Sequence, residues 1–158
     1  IAGEEPEMCF RLRQKAWKIR RIDTEMTMHD ANMTSVSQWW NRSKRAGYAY
    51  IEGYAFHGRS AENYRLKPTI RTIFWAVGLP AITVGLSLYN SNFLLMAAIY
   101  PIQIAKLSIQ NKAELSSFKY SAFYALSNVV GKFPEFLGMM RFVLNKCRGR
   151  KGTLIEYK

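Results

Sequence analysis

Residues 72–105 read TIFWAVGLPAITVGLSLYNSNFLLMAAIYPIQIA, and none of them is Asp, Glu, Lys or Arg. This run decides the organisation of the chain, because successive elements without a charged face have little to present to water. It divides in two. Residues 72–88, about 17 in all, sit at the short limit for crossing a bilayer. Pro80 lies among them and removes a helical N–H, so a kinked helix is expected there. Tyr89-Asn90-Ser91-Asn92 reads as a turn. Residues 93–105 make a second apolar element of about 13 residues, with Pro101 near its end. Arg65, Lys67 and Arg71 flank one outer end, Lys106, Lys112 and Lys119 the other, and the turn carries no basic residue. The positive-inside rule then favours a hairpin with both ends cytoplasmic. The alternative is two helices buried in a soluble core, which their lengths also allow.

The whole chain of 158 residues has a formal net charge of +12, and 49% of it is hydrophobic. That length suits one domain. A basic chain around a charge-free apolar block matches anionic membrane lipids better than nucleic acid. No RNA-recognition motif, zinc-finger spacing or helix-turn-helix pattern is present, so no nucleic-acid partner is expected. Cys9 and Cys147 are far apart and form no CxxC pair, which points to a reducing compartment and no disulfide framework. The start at Ile1 has neither a basic n-region nor a cleavage site. It is not a signal peptide, and it reads as an internal cut through a longer protein.

Three parts follow: a polar part over 1–67, the apolar part over 68–105 and an amphipathic part over 106–158. In the first, Pro6 suits a first helical turn, and Glu4, Glu5 and Glu7 suit its positive end. That helix is expected to run through Met8, Leu12 and Ala16, with Arg11, Arg13 and Lys15 outward. A short strand is expected over 18–22, then a loop holding Met26-Thr27-Met28-His29-Asp30. A second helix is expected from Ser35 or Ser37, either of which suits an N-cap, past Trp39, Trp40, Ala46 and Tyr50 to about Gly58. In the third part, aromatic residues beside Lys and Arg suit helices in the headgroup layer, or else a solvated face packed on the protein itself.

Several residues suit chemistry. Glu4 and Glu5 at a helix start form a firm platform for a general base, although acidic first turns are also common for purely structural reasons. His29 beside Asp30 suits a divalent metal or a phosphate, but two adjacent residues do not make a site. Gln38-Trp39-Trp40-Asn41-Arg42 places an amide, two flat rings and a guanidinium on about one helical turn, suited to a sugar and a phosphate or simply to packing. His57 has no partner nearby in sequence and is expected to be structural.

Taken in order, these segments resemble the C-terminal part of bacterial family 2 glycosyltransferases. The resemblance rests on Gly3-Glu4-Glu5-Pro6-Glu7-Met8-Cys9, Arg11-Leu12-Arg13, Trp17, Met26-Thr27-Met28-His29-Asp30-Ala31, Met33-Thr34, Gln38-Trp39-Trp40 and Arg45-Ala46-Gly47-Tyr48-Ala49-Tyr50. Lys132-Phe133-Pro134-Glu135 and Leu154-Ile155-Glu156-Tyr157-Lys158 resemble the end of a membrane-associated subgroup.

The resemblance implies a mainly α fragment: the C-terminal, acceptor-side part of an α/β GT-A domain over 1–67, an apolar helical hairpin over 68–105, and amphipathic interfacial helices with a basic tail over 106–158. It implies Glu5 as the base that activates an acceptor hydroxyl, with Glu4 next, and Glu7 as support for the helix end. His29 falls where some related enzymes place a metal- or diphosphate-contacting histidine. Gln38, Trp39, Trp40 and Arg42 fall near the QxxRW motif of processive members, although their order departs from it. Ala16 stands where a glycine is usual. The implied partners are a nucleotide-sugar donor, a glycan or lipid-linked acceptor and anionic membrane lipids. Mg²⁺ or Mn²⁺ is the implied cofactor of the full-length enzyme, and the bacterial inner membrane its place, with the catalytic part cytoplasmic. No Asp-x-Asp is present, so this fragment is expected to lack most of the nucleotide pocket and to be inactive alone. The competing expectation is a non-enzymatic basic membrane adaptor.

Overall fold

Ser35 starts the longest of the described helices. Its hydroxyl accepts a hydrogen bond from the Gln38 N–H at 3.3 Å, while Gln38 Oε1 accepts from the Ser35 N–H at 3.1 Å. This reciprocal cap satisfies two donors that the first helical turn leaves orphaned. The computed structural model describes residues 4–20, 22–23, 33–112 and 117–150. Every element in them is helical: α1 Glu4–Gln14, α2 Val36–His57, α3 Leu66–Ile73, a π turn Phe74–Gly78, α4 Leu79–Ser87, a 3-10 segment Ser91–Ala98, α5 Ile99–Gln110, α6 Phe118–Val130 and α7 Lys132–Cys147.

The first helix begins at Glu4, with Pro6 in its first turn as expected, but buries a different face. Met8 and Leu12 are exposed, and Phe10 is the buried residue. Past Gln14 the chain closes with the Trp17 N–H on the Leu12 carbonyl and the Ala16 N–H on the Arg13 carbonyl. Ala16 sits between them at φ +61°. This is the left-handed helix stop that glycine fills most easily, and here an alanine carries the strain. The strand expected over 18–22 is not formed, and 18–20 and 22–23 have no regular structure. No strand lies among the described residues to supply a ladder, so an extended segment there has no backbone partner.

The apolar hairpin is longer than the charge-free run. Its first arm is continuous from Leu66 to Ser87 and its second from Ser91 to Gln110. At 1.5 Å per α residue and 2.0 Å per 3-10 residue the arms are about 33 and 34 Å long. A bilayer's hydrocarbon core is about 30 Å thick. Both arms are therefore long and apolar enough to cross a membrane, with Lys67, Arg71 and Lys106 near their outer ends. Only 22% and 6% of the residues in their most apolar windows are buried. Both arms are therefore largely exposed on this chain rather than buried within it. At the tip, Asn90 Oδ1 caps the second arm by accepting from the Asn92 N–H at 2.9 Å.

The distortion expected at Pro80 takes the form of the π turn. The Leu79 N–H donates to the Phe74 carbonyl, five residues back, and so does not serve Trp75. Pro80, next in line, has no N–H to give. The stranded Trp75 carbonyl accepts instead from the Tyr100 hydroxyl of α5 at 2.6 Å. The helix defect thus becomes the bond that joins the two arms. Below it, Tyr100 stacks on Phe133 with ring centroids 6.3 Å apart. The buried Ser121 hydroxyl of α6 donates to the Ser108 carbonyl of α5 at 2.5 Å and holds that helix to the second arm.

The tightest contact lies between α2 and α7. A Cβ placed on Gly47 would overlap the Glu135 carbonyl, and one placed on Gly138 would overlap the Lys44 carbonyl. The two backbones therefore touch at a pair of glycines, as small residues permit. Tyr48 packs edge-on against Phe142 beside this crossing, centroids 5.3 Å apart. The Glu135 side chain then reaches α3. Thr72 donates to it at 2.6 Å, and Lys132 approaches its two oxygens at 2.9 and 2.7 Å. Lys132 and Glu135 are nearly enclosed, so this pair is retained because each charge meets the other and Thr72 adds a further hydrogen bond to the carboxylate. Burial, and then the Glu135 charge, raise the pKa of the nearby Tyr50 phenol, while Arg65 and Arg71 pull it down.

Gly138→Val is expected to lower unfolding stability by about 3 kcal/mol or more, at the upper end of overpacking costs, since backbone must move to admit it. Gly85→Ala, with nothing within 4 Å of the added carbon, is expected to be neutral or stabilising. Denaturation in detergent micelles, followed by Trp fluorescence, measures both. Equal midpoints for Gly138→Val and the native chain would rule out the glycine crossing.

Candidate functional site

The acidic head of α1 is the candidate site, and what positions it can be built residue by residue. Glu4 is the first residue of the helix and Pro6 lies in its first turn, where a missing N–H costs nothing. Glu5 is exposed in that turn. Two residues on, Glu7 is fully engaged. One oxygen lies 2.8 Å from His57 Nε2 at the end of α2, and the other accepts from Arg11 Nε at 2.9 Å. His57, without a partner nearby in sequence, thus has one in space. Glu7 acts as a docking group rather than a free carboxylate, which leaves Glu5 as the described acid at the helix head without an assigned task.

Phe10 holds α1 down. It is 2% exposed, and its ring meets His57 at 4.8 Å and Tyr64 at 4.6 Å between centroids. Arg65 lies over the Tyr64 and Tyr50 rings at 5.3 and 5.5 Å, so the loop after α2 is braced on the same aromatic group. Farther along α1, Arg13 pairs with Glu62 at 2.9 and 3.3 Å. The hydrogen bond from Arg13 holds the Glu62 carboxyl below its usual range, and the same bond raises the guanidinium. Both partners are exposed, and such pairs contribute little. Burying a Phe side chain is worth about 1.5–3 kcal/mol, so Phe10 outweighs the ion pair. It carries no periodic signal, because a short, highly charged helix needs only one anchor.

Gln38, Trp39, Trp40 and Arg42 lie at the opposite end of α2. Arg42 is about 22 Å back along the helix axis from His57 at 1.5 Å per residue. The carbonyl of Gln38 is spent on the helix cap, also accepting from the Thr34 N–H at 2.9 Å. Trp39 and Trp40 meet edge-on at 6.2 Å. Trp39 also lines an apolar cavity of about 410 Å³ with Val36, Phe123, Leu126 and Val130. Arg42 lies 3.8 Å from the Met33 sulfur. The structure therefore brings Glu7 and His57 together at one end of α2, with Glu5 exposed two residues before Glu7, and leaves the Gln-Trp-Trp-Asn-Arg segment at the other end. His29 lies outside the described residues.

Among the described residues no three His, Cys, Asp or Glu side chains come together as a metal site. Glu7 and His57 give two donors at most, and Arg11 competes for one of them. These residues do not fit a bound divalent cation. Comparison with protein-family models, curated proteins and solved structures finds no match to this chain.

Phe10→Ala is expected to free α1 from α2, at a cost of about 3–5 kcal/mol to that contact, while Arg13→Ala changes it by less than about 1 kcal/mol. Hydrogen exchange reads the difference: amides of α1 lose protection in the first variant and keep it in the second, with the α2–α7 crossing unchanged in both. Protection retained in Phe10→Ala would show that α1 is held by something else.

Proposed function

We propose that this chain is the acceptor-side part and membrane attachment of a family 2 glycosyltransferase. One observation carries the proposal. The acidic segment that opens the ordered motif series folds as the head of a docked helix, with Glu5 exposed and its neighbour Glu7 fixed on His57. A general base needs a carboxylate on a rigid mount with open access for the hydroxyl it serves. The two long, exposed apolar arms support placing that mount beside a membrane, with anionic lipids around the basic ends of the hairpin and the site on the cytoplasmic face.

In the proposed reaction the Glu5 carboxylate accepts the proton of an acceptor hydroxyl. The oxygen attacks the anomeric carbon of a nucleotide sugar, the bond from that carbon to the diphosphate breaks, and the configuration inverts. The nucleoside diphosphate leaves with the bonding pair. A donor half outside this chain would bind the nucleotide and any divalent metal. The separation along α2 keeps Arg42 away from Glu5, so no diphosphate-steadying role is proposed for it. Trp39 and Trp40 are left as candidates for contact with a distant part of an extended glycan or lipid-linked acceptor.

Sugar transfer in membranes that contain the polypeptide together with its donor half tests this, using a panel of nucleotide sugars. Glu5→Gln keeps the side chain's size but cannot act as a base. Turnover is expected to fall about 100-fold or more while donor binding persists. Unchanged turnover would remove Glu5 as the base, and absence of transfer with every donor would favour the non-enzymatic adaptor.

A further inference from the structure

A second, separate cleft opens at the foot of the hairpin, between the outer ends of its arms and helices α6 and α7. Its lining includes Arg71, Trp75, Gln103, Tyr124 and Lys132, and its volume is about 240 Å³. Two of these side chains are cations, and since Lys132 is paired with Glu135, Arg71 is the one without a counter-charge among the lining residues. Lys132 is fixed in place: Glu135 takes two of its contacts, and Thr72 in turn holds Glu135. An ammonium has three N–H donors, so one is left over. No hydrogen bond or ion pair among the described residues engages the guanidinium of Arg71 or the amide of Gln103.

We propose that this cleft binds the phosphoryl headgroup of a membrane lipid. Its charge and donor set suit phosphate oxygens, since guanidinium and ammonium groups give the strongest, charge-assisted bonds to them. Its size limits the ligand. About 240 Å³ lies below the ~300–1,000 Å³ of ordinary small-molecule pockets, so a phosphoryl group fits and a whole nucleotide sugar does not. Its place selects the carrier. Arg71 lies near the start of the first arm, and Gln103 lies toward the end of the second, so both stand at the end of the hairpin away from its tip. One turn deeper, Trp75 and Tyr100 pair with centroids 5.7 Å apart. Basic residues at an arm's end with aromatic rings just inside mark the headgroup level of a bilayer. The proposal rests on the membrane placement of the hairpin but not on sugar transfer.

The full chain is reconstituted in phosphatidylcholine nanodiscs doped with phosphatidic acid, and the phosphatidic acid that stays bound on release is counted by native mass spectrometry. The native chain is expected to retain it. Arg71→Gln is expected to lower retention about tenfold, the loss for one charge-assisted pair. Arg148→Gln, which removes the same charge from the exposed end of α7, is expected to leave retention unchanged. Equal losses in the two variants would mean diffuse surface attraction and overturn the site. Displacement of the lipid by inorganic phosphate at equal concentration would overturn the lipid as carrier. Flotation with vesicles separates the premise from the proposal: a chain that floats but retains no phosphatidic acid defeats the site alone, and one that does not float defeats the membrane placement.

Discussion

Glu135 is the point on which the helices depend. Its backbone carbonyl is the surface against which Gly47 of α2 lies, and its carboxylate is held by Thr72 of α3 and Lys132 of its own helix. Three elements thus meet at one residue, and each contact constrains the others. The close glycine approach sets how near α2 comes to α7. The carboxylate then sets where the first hairpin arm leaves them. An unpaired carboxylate at this depth would cost several kcal/mol, so the arrangement has little freedom to slip. Everything else is attached to this joint: the second arm through Tyr100 and Phe133, α6 through Ser121, and α1 through the far end of α2.

Two of the short strings quoted for the resemblance turn out to be the two sides of this joint. In Arg45-Ala46-Gly47-Tyr48-Ala49-Tyr50, Gly47 makes the close approach, Tyr48 and Ala49 are buried, and burial followed by the Glu135 charge raises the Tyr50 phenol. In Lys132-Phe133-Pro134-Glu135, the two ends form the ion pair, Phe133 stacks on Tyr100, and Pro134 is enclosed. Apart from Arg45 and Ala46, their residue types are therefore explained by packing, independently of any chemistry. The Gly-Glu-Glu-Pro-Glu string differs, because packing explains Glu7 and Phe10 but leaves Glu5 unused.

How much was legible in the sequence follows from the range of each interaction. Local signals served well. The Ser35 cap, the helix head at Glu4, the turn at Asn90 and the apolar arms all rest on neighbours within a few residues. The arms extend beyond the charge-free window because that window stops at the first Lys or Arg. Such side chains extend toward water from the last turns of an apolar helix without ending it. Non-local contacts could not be read. Nothing near Glu7 announces His57, fifty residues away, and nothing near Gly47 announces Glu135. The strand over 18–22 fails for a related reason, since β-structure needs a partner that local sequence does not supply. Ala16 is an intermediate case. The residue type alone does not announce the left-handed φ of +61° that the helix stop requires there.

The most direct test is the depth of the hairpin. With Cys9 and Cys147 replaced by serine, single cysteines at Ile82, Leu95 and Arg59 are spin-labelled in vesicles, and their exposure to oxygen and to a water-soluble nickel chelate is compared. If the arms lie in lipid, labels at Ile82 and Leu95 meet oxygen and are shielded from nickel, while the label at Arg59 meets nickel freely. Free access of nickel to Ile82 and Leu95 would contradict the membrane placement, and with it the proposed position of the acidic site.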